Sequence, residues 1–332
     1  MNWMLYRLLN IILICILTMS CTPEVTKKSP KAVLVIHGGA GWISKGSVSD
    51  SMEQAYVKTL EKSLLKGREI IKNNGSSLDA VQAAIEHLED SPLFNAGKGS
   101  VFTFDETNEM DSALMDGATT NAGAATGIST IKNPIQVARA VLDHSVHVFL
   151  SGSGAEAFAL KKGLTQVDPS YFFTQNNYDN LLKAKASMEE VKQNKLGTIG
   201  AVALDKNGNL AAGTSTGGMT NKRFGRIGDT PIIGAGTYAE NGVCGISATG
   251  HGEYFIRYVV AHDIAARIKY ANQSIEQAST EVIKTLKANG GLGGVIGLDA
   301  TGTVVMPFNT KGMFRGYISL DGDPIVALYK ED

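Results

Sequence analysis

The body of this 332-residue chain has almost no cysteine. Of three, Cys15 and Cys21 lie in the first 21 residues, leaving Cys244 alone. A single thiol cannot close a bridge, so a disulfide framework is excluded there. Cys244, inside "NGVCGIS", reads as a small core residue rather than a nucleophile. Histidine is scarce and scattered; His144 and His147 are spaced H-x-x-H in "HSVHVFL", but no carboxylate motif follows. That pattern argues against a zinc hydrolase. Net charge is close to nil, formally −1, so nothing in the balance calls for nucleic acid. Proline is sparse at 8 residues. What the chain does have is a globular composition, 43% hydrophobic and 19% charged, at a length suited to one or two domains. Its 37 glycines gather in G-G and G-x-G clusters, which suggests tight turns and close backbone approaches.

The N-terminus stands apart. "MNWMLYRLLNIILICILTMSC" has one early Arg, an apolar run from Leu8 to Leu17 and a small residue before Cys21. The run is too short to span a membrane and reads as an export signal. Its end resembles a bacterial lipoprotein signal, cleaved before a cysteine that then carries lipid, although Leu17 stands four residues before Cys21 rather than three. An ordinary signal peptide or an uncleaved anchor is the alternative. Residues 1–21 are thus a signal, 22–30 ("TPEVTKKSP") a tether, and the expected address is the periplasm, with Cys21 as the lipidation site.

Patterning then predicts the elements. "AVLVIHGG" (32–39) is a buried strand entering a tight loop. "SSLDAVQAAIEHLED" (76–90) is a helix: Ser76 and Asp79 form a capping-box pattern, and Leu78, Val81, Ile85 and Leu88 share one face. Residues 133–145 form another, with Asn133 as cap and Pro134 in its first turn. The polar stretch from Lys161 to Lys195 is the best internal boundary, and 177–195 reads as helix or disorder. Two look-alike segments follow, "GAVALDKNGNLAAG" (200–213) and "GVIGLDATGTVVMP" (294–307), each a strand, a D-x-x-G turn and a second strand. Between them lie predicted helices over 253–270 and 274–291, the second capped by Ser274 and Gln277 and stopped at Asn289-Gly290. Helices packed on antiparallel hairpins argue against a doubly wound parallel sheet.

Two hydroxyls compete as nucleophile. "GTSTG" (213–217) matches G-x-S-x-G, "HGGAG" (37–41) resembles an esterase oxyanion loop, and Asp229 and His251 follow Ser215 in triad order. Against this, "GMTNKRFGRIGDTP" follows Ser215 where a nucleophile elbow needs a helix. The other hydroxyl is Thr198 in "NKLGTIGAVALD". An in-chain threonine has no base of its own, and a strand start is its ordinary reading. If the Gly197–Thr198 bond is cut, the freed amine, with a pKa of about 7.7–8, can take the proton of its own hydroxyl. Gly197 suits such a bond because it tolerates strained dihedrals and leaves the carbonyl open. Thr216 returns on the neighbouring strand. Arg226 and Asp229 form either a surface ion pair or a grip for the carboxylate and ammonium of an amino acid. Thr249 and the N–H of Gly250, at a helix entrance, suit an oxyanion.

With those residues in hand, the chain from about Ala32 to Tyr329 resembles the plant-type L-asparaginase/isoaspartyl peptidases, which are N-terminal-nucleophile hydrolases. The resemblance rests on "HGGAG", "PLFNAGKGSVFT", "EMDSALMDG", "NPIQVAR", "GTIGAVALD", "GTSTGGMTNKRFGRIGD", "TGHGE" and "PFNTKGM". It implies an α+β fold, a four-layer αββα sandwich forming one globular domain. It implies a precursor cut before Thr198 into an α subunit (31–197) and a β subunit (198–332), assembled as a dimer of αβ heterodimers. In that family pattern Thr198 is the nucleophile and Thr216 its hydrogen-bond partner. Arg226 holds the substrate α-carboxylate. Asp229, with the Gly252 carbonyl, holds the α-ammonium, Thr249 and Gly250 form the oxyanion hole, and Asn95 bears on self-cleavage. No cofactor is implied for the chemistry. An alkali cation such as sodium is implied on the main-chain carbonyls of Leu88, Glu89, Ser91, Phe94, Ala96 and Lys98, with a plain helix-stop loop as the alternative. The expected substrates are L-asparagine and β-aspartyl dipeptides. Glycosylasparaginase, a Ser215 esterase and a non-catalytic amino-acid-binding lipoprotein are the rival readings. Many family members are cytoplasmic, whereas this chain carries an export signal; outside the cell membrane it would meet peptides more than metabolic asparagine.

Overall fold

The computed structural model describes residues 33–41, 43–186 and 197–330. The signal 1–21 with Cys21, the tether 22–30 and residues 187–195 of the polar stretch lie outside the described residues.

Twelve strands form two sheets among the described residues. The large sheet runs, in spatial order, β12 (Ile325–Tyr329), β11 (Gly312–Ser319), β1 (Val33–Gly41), β5 (Ile199–Leu204), β6 (Leu210–Thr216), β2 (Met110–Asp116), β3 (Ala122–Ile128) and β4 (Phe149–Ser151). Its pairs are antiparallel except β3–β4. The small antiparallel sheet runs β10 (Val304–Val305), β9 (Gly293–Asp299), β8 (Cys244–Gly250) and β7 (Thr237–Glu240).

Helices α1 (Asp50–Lys72), α2 (Ser77–Glu89) and α3 (Pro134–His144) cover the outer face of the large sheet, and α4 (Gly152–Lys161) packs beside β3. On the other side α7 (Val260–Ala271) and α8 (Ile275–Ala288) cover the small sheet. The sheets face each other, giving the four-layer αββα order. Apolar clusters fill the gaps. Leu60, Leu64, Val81 and Ile85 meet Ile199, Ala201 and Ala203 under the large sheet. Val35, Val202 and Ala212 meet Ile296 and Leu298 between the sheets. Ile246 and Val295 meet Ile264 and Ile283 under the small one, and Cys244 is a fully buried member of that core.

Strand alternation therefore sorts the site. Along β5, Ile199, Ala201 and Ala203 face the helices while Val202 and Leu204 face the opposite sheet. Thr198 falls in the second set.

Most predicted elements stand. Ser76 Oγ accepts from Asp79 N at 3.1 Å and Ser274 Oγ from Gln277 N at 3.2 Å, as capping residues do. The polar stretch contains α5 (Gln175–Ala186). Two readings are corrected. The helix over 253–270 is broken at Val259, which is left-handed (φ 47°, ψ 49°), into α6 (Gly252–Tyr258) and α7. The first amides of α7 turn to the loop before β7: Ala261 N donates to Ala235 O (3.2 Å) and His262 N to Gly234 O (2.8 Å). Apolar periodicity carries no sign of such a tertiary bond. Asn133 precedes α3 but its side chain does not cap it, reaching Asp90 Oδ1 at 3.2 Å instead. Glu89 caps the helix from outside, with Oε1 accepting from Ile135 N at 2.9 Å.

Candidate active site

The β5–β6 hairpin brings Thr198 and Thr216 to its open end, because Ile199 pairs with Ser215 one step inside. Thr198 Oγ1 donates to Thr216 Oγ1 at 3.0 Å. Thr216 Oγ1 donates to Gly197 O at 3.2 Å and accepts from Gly218 N at 3.0 Å. In this intact chain the Thr198 nitrogen is still an amide. The carbonyl before it is gripped twice, since Asn95 Nδ2 also donates to Gly197 O at 2.7 Å. The same amide group donates to Gly218 O (2.7 Å), and Asn95 Oδ1 accepts from Val101 N (3.0 Å). Asn95 thus ties the loop after α2 to both strands of the hairpin. A Cβ at Gly197 would stand 2.8 Å from Asn95 Cβ, so glycine is what lets the two backbones approach.

Thr198 and Thr216 line a pocket with Arg226, Asp229 and Gly250; Gly218, Met219, Gly228 and Thr230 complete its wall. Gly252 adjoins it: a Cβ there would stand 2.8 Å from Arg226 Nη2 and 3.0 Å from Asp229 Oδ1. Thr249 is buried beside Gly250 on β8, with Oγ1 accepting from Ala40 N at 3.3 Å. Eight residues picked for the chemistry therefore share one neighbourhood although they span 158 positions of sequence, from Asn95 to Gly252.

Electrostatics singles out two of them. Burial pushes the Asp229 carboxyl up to about 7, with Arg226 opposing the rise. Its Oδ2 is buried without a hydrogen-bond partner. A buried, unpaired acceptor facing a pocket is the arrangement a ligand cation completes. Arg226 is engaged: Nε and Nη2 reach Glu253 Oε1 and Oε2 at 2.8 and 2.9 Å. Burial would raise Glu253, but the guanidinium holds its carboxyl below the usual range. The alternative of an Arg226–Asp229 surface ion pair falls, because Arg226 pairs with Glu253 in a bidentate fork on a half-exposed carboxylate. "TGHGE" contained Glu253, but its partner was not legible across 27 residues.

The Ser215 reading fails on geometry. Ser215 points to the other face of the large sheet, is fully buried, and donates to Glu89 Oε1 at 2.6 Å. Thr198, Asp229 and Gly250 lie on the opposite side, so no triad with Asp229 and His251 forms. Burial raises the Glu89 carboxyl to about 8, against the hydrogen bonds from Ser215 and Ile135 N that lower it. His144 and His147 are exposed near the end of α3, apart from this pocket.

The loop after α2 winds back on itself. Ser91 N donates to Leu88 O (3.2 Å), Ala96 N to Phe94 O (2.9 Å) and Gly99 N to Ala96 O (3.2 Å). A Cβ at Gly97 would meet Glu89 O at 2.4 Å, and one at Gly99 would meet Phe94 O at 2.1 Å. The named carbonyls therefore crowd one short loop that sets the position of Asn95.

Comparison with known proteins decides the family. The asparaginase family model matches residues 30–327. The chain belongs to the asparaginase family. A putative isoaspartyl peptidase/L-asparaginase of Dictyostelium discoideum is 50% identical over 329 residues, covering 88% of this chain and 95% of that protein. The isoaspartyl peptidase of Escherichia coli K12 is 46% identical over 91% of this chain and 97% of its own length. The rat isoaspartyl peptidase/L-asparaginase is 37% identical over 89% and 90%. Asparaginase-family membership makes the chain a hydrolase of N-terminal-nucleophile fold, and the reading as a non-catalytic binding lipoprotein falls. Sequence reasoning missed Glu253 and the wall residue Thr230 at the site, and the buried carboxyl of Glu89 on the far face of the sheet. Glu253 and Glu89 are defined by contacts between distant segments, for which spacing holds no signal.

Proposed function

We propose that this protein is an isoaspartyl peptidase/L-asparaginase that activates itself by cutting before Thr198. The observation carrying this is the doubly held Gly197 carbonyl beside the Thr198 hydroxyl. In self-cleavage, Thr198 Oγ1 attacks the Gly197 carbonyl carbon. The negative charge forming on Gly197 O is stabilised by Asn95 Nδ2 and the Thr216 hydroxyl, donors already in place. The Gly197–Thr198 C–N bond then breaks, so the acyl group shifts from nitrogen to oxygen and the Thr198 nitrogen, taking up the hydroxyl proton, becomes a free amine; water hydrolyses the resulting ester to the Gly197 carboxylate and restores the Thr198 hydroxyl.

In turnover the Thr198 amine takes the hydroxyl proton and Oγ1 attacks the side-chain carbonyl of an aspartyl unit. Arg226 takes the α-carboxylate in place of Glu253, while Asp229 and the Gly252 carbonyl take the α-ammonium. The Thr249 hydroxyl and Gly250 N–H receive the oxyanion. Ammonia or a peptide amine leaves with a proton from the Thr198 amine, and water then releases aspartate from the acyl-enzyme. The names of the relatives support β-aspartyl peptides and L-asparagine over glycosyl-asparagine as substrates. Intact mass spectrometry with Edman sequencing of any smaller band should give a fragment beginning at Thr198. Assays of a β-aspartyl dipeptide against GlcNAc-Asn should favour the dipeptide. An uncut chain that turns over the dipeptide would refute the scheme.

The main-chain oxygens of Leu88, Glu89, Ser91, Phe94, Ala96 and Lys98 form a hard, uncharged donor set that suits sodium or a similar alkali cation. Such an ion supplies no chemistry; it would stiffen the loop carrying Asn95. Comparing activity in sodium, potassium and choline chloride tests this. The two subunits assemble as a dimer of αβ heterodimers, testable by sedimentation. Export with a lipid on Cys21 places the enzyme in the periplasm among peptides, testable by detergent partitioning of the wild type and Cys21→Ala.

A further inference from the structure

His37 has no part in the chemistry above, yet it is fully buried and bonded to the nucleophile's own backbone. The β1–β5 ladder ends at the pair His37–Gly200, two residues short of Thr198. Beyond it β1 bulges between His37 and Gly39 while still following β11. The Thr198 carbonyl is held by a side chain: His37 Nδ1 lies 3.0 Å from it, and Nε2 lies 3.0 Å from Ser247 Oγ on the facing sheet.

The proton positions follow. A carbonyl oxygen can only accept, so Nδ1 carries the hydrogen. Burial drives the imidazole pKa down to about 3, so the ring is neutral and Nε2 is bare. Ser247 must then donate to Nε2. Ser247 Oγ lies 2.7 Å from Thr214 Oγ1, which in turn accepts from Thr237 Oγ1 at 2.7 Å. Ser247, His37 and the Thr198 carbonyl therefore form a directed run of hydrogen bonds from the small sheet to the large one, with Thr214, whose Oγ1 also reaches Gly236 O at 3.1 Å, and Thr237 beyond Ser247. Gly200 is the position that permits it: a Cβ there would stand 2.0 Å from Ser247 Oγ and 2.5 Å from His37 Nε2.

We infer that His37 is a positioning residue for the nucleophile, holding the Thr198 carbonyl through Nδ1–H while the Ser247 hydroxyl steadies the ring at Nε2. The need is greatest once the bond before Thr198 is cut, when the residue is anchored to the chain on one side only. This rests on Thr198 being the nucleophile.

The test compares His37→Leu with His37→Asn, whose amide can donate from near the Nδ1 position. Activity is read as kcat per cleaved chain beside KM. Misplacing a reacting group by about an ångström can cost about 10²-fold. We expect His37→Leu to lose kcat on that scale with KM within about twofold, and His37→Asn to recover most of it. Loss of self-cleavage in His37→Leu restored in His37→Asn also supports the inference. A His37→Leu enzyme with wild-type kcat, or with only KM changed, overturns it. Should neither variant fold or cleave, Ser247→Ala decides. It removes the second anchor of the ring, at Nε2, and lets the imidazole turn away from the Thr198 carbonyl, and we expect about a tenfold lower kcat at unchanged KM; an unchanged kcat there overturns the inference. Thr198→Ala, run in parallel, separates the two claims: activity surviving in it refutes the proposed function itself.

Discussion

The two hairpins that look alike in sequence, β5–β6 and β9–β10, are nearly the same object at the turn and different objects at the open end. Asp205 Oδ1 accepts from Asn207 N and Asn209 N (2.9 and 3.0 Å); Asp299 Oδ1 accepts from Thr301 N and Thr303 N (2.8 and 2.9 Å). Gly208 and Gly302 take φ of 81° and 84°, a conformation glycine adopts without strain. Yet β5 and β6 sit in the middle of the eight-stranded sheet, flanked by β1 and β2, whereas β10 is a two-residue edge strand. The first hairpin opens onto Asn95, Arg226 and Asp229. The open end of the second runs into Gly293 and Gly294, packed on Thr249 O and Phe308. Turn chemistry is local; what a hairpin carries depends on its neighbours.

The sharpest way to break the comparison is Thr198→Ala at the first open end. It should abolish self-cleavage on a denaturing gel and lower activity by about 10⁴-fold or more, because nucleophile and base are one residue. Next come the turns. Asp205→Ala and Asp299→Ala lose matching bonds, but Asp205 is buried and its Oδ2 also accepts from Ser77 N at 3.2 Å, at the start of α2. Urea unfolding should show about 2–3 kcal/mol lost for Asp205→Ala and about 1 kcal/mol for Asp299→Ala. Equal losses would mean that the central location adds nothing.

The open end should also have a pH signature. The Asp229 carboxyl sits near 7 because burial raises it, so the ionised form that binds an ammonium is lost as pH falls through that value. With L-asparagine, kcat/KM should drop by about tenfold per unit below this limb. With succinamate, which lacks the α-amine, the Asp229 contribution should vanish and leave only the limb of the Thr198 amine. The smallest effect is at Glu253. Glu253→Gln frees Arg226 and should lower KM for L-asparagine by about threefold, or about 0.7 kcal/mol, as expected for a half-exposed pair. A raised KM would instead make Glu253 a device that orients the arginine.

Much of this molecule was legible beforehand. The caps at Ser76 and Ser274, both hairpins and the helix-on-antiparallel-sheet class follow from bonds between residues a few positions apart. Thr198, Thr216, Arg226, Asp229 and Gly250 were legible as chemical types, and the pocket brings them together. The failures share one cause. The continuous helix over 253–270 ignored the carbonyls of Gly234 and Ala235. The Asn133 cap ignored Glu89, and the ion-pair alternative for Arg226 and Asp229 ignored Glu253.

By itself the sequence determined the local geometry: where turns close, where helices start, and that β6 presents Ser215 and Thr216 to opposite faces. Strand period and capping bonds involve near neighbours, so they are written in the order of residues. Only the tertiary structure decided which face meets the pocket, leaving Thr216 beside Thr198 and burying Ser215 against Glu89. It likewise decided that Arg226 reaches Glu253 and that His37 reaches across to the Thr198 carbonyl. Those contacts join segments up to 161 residues apart, and they form only when two sheets pack and close the distance.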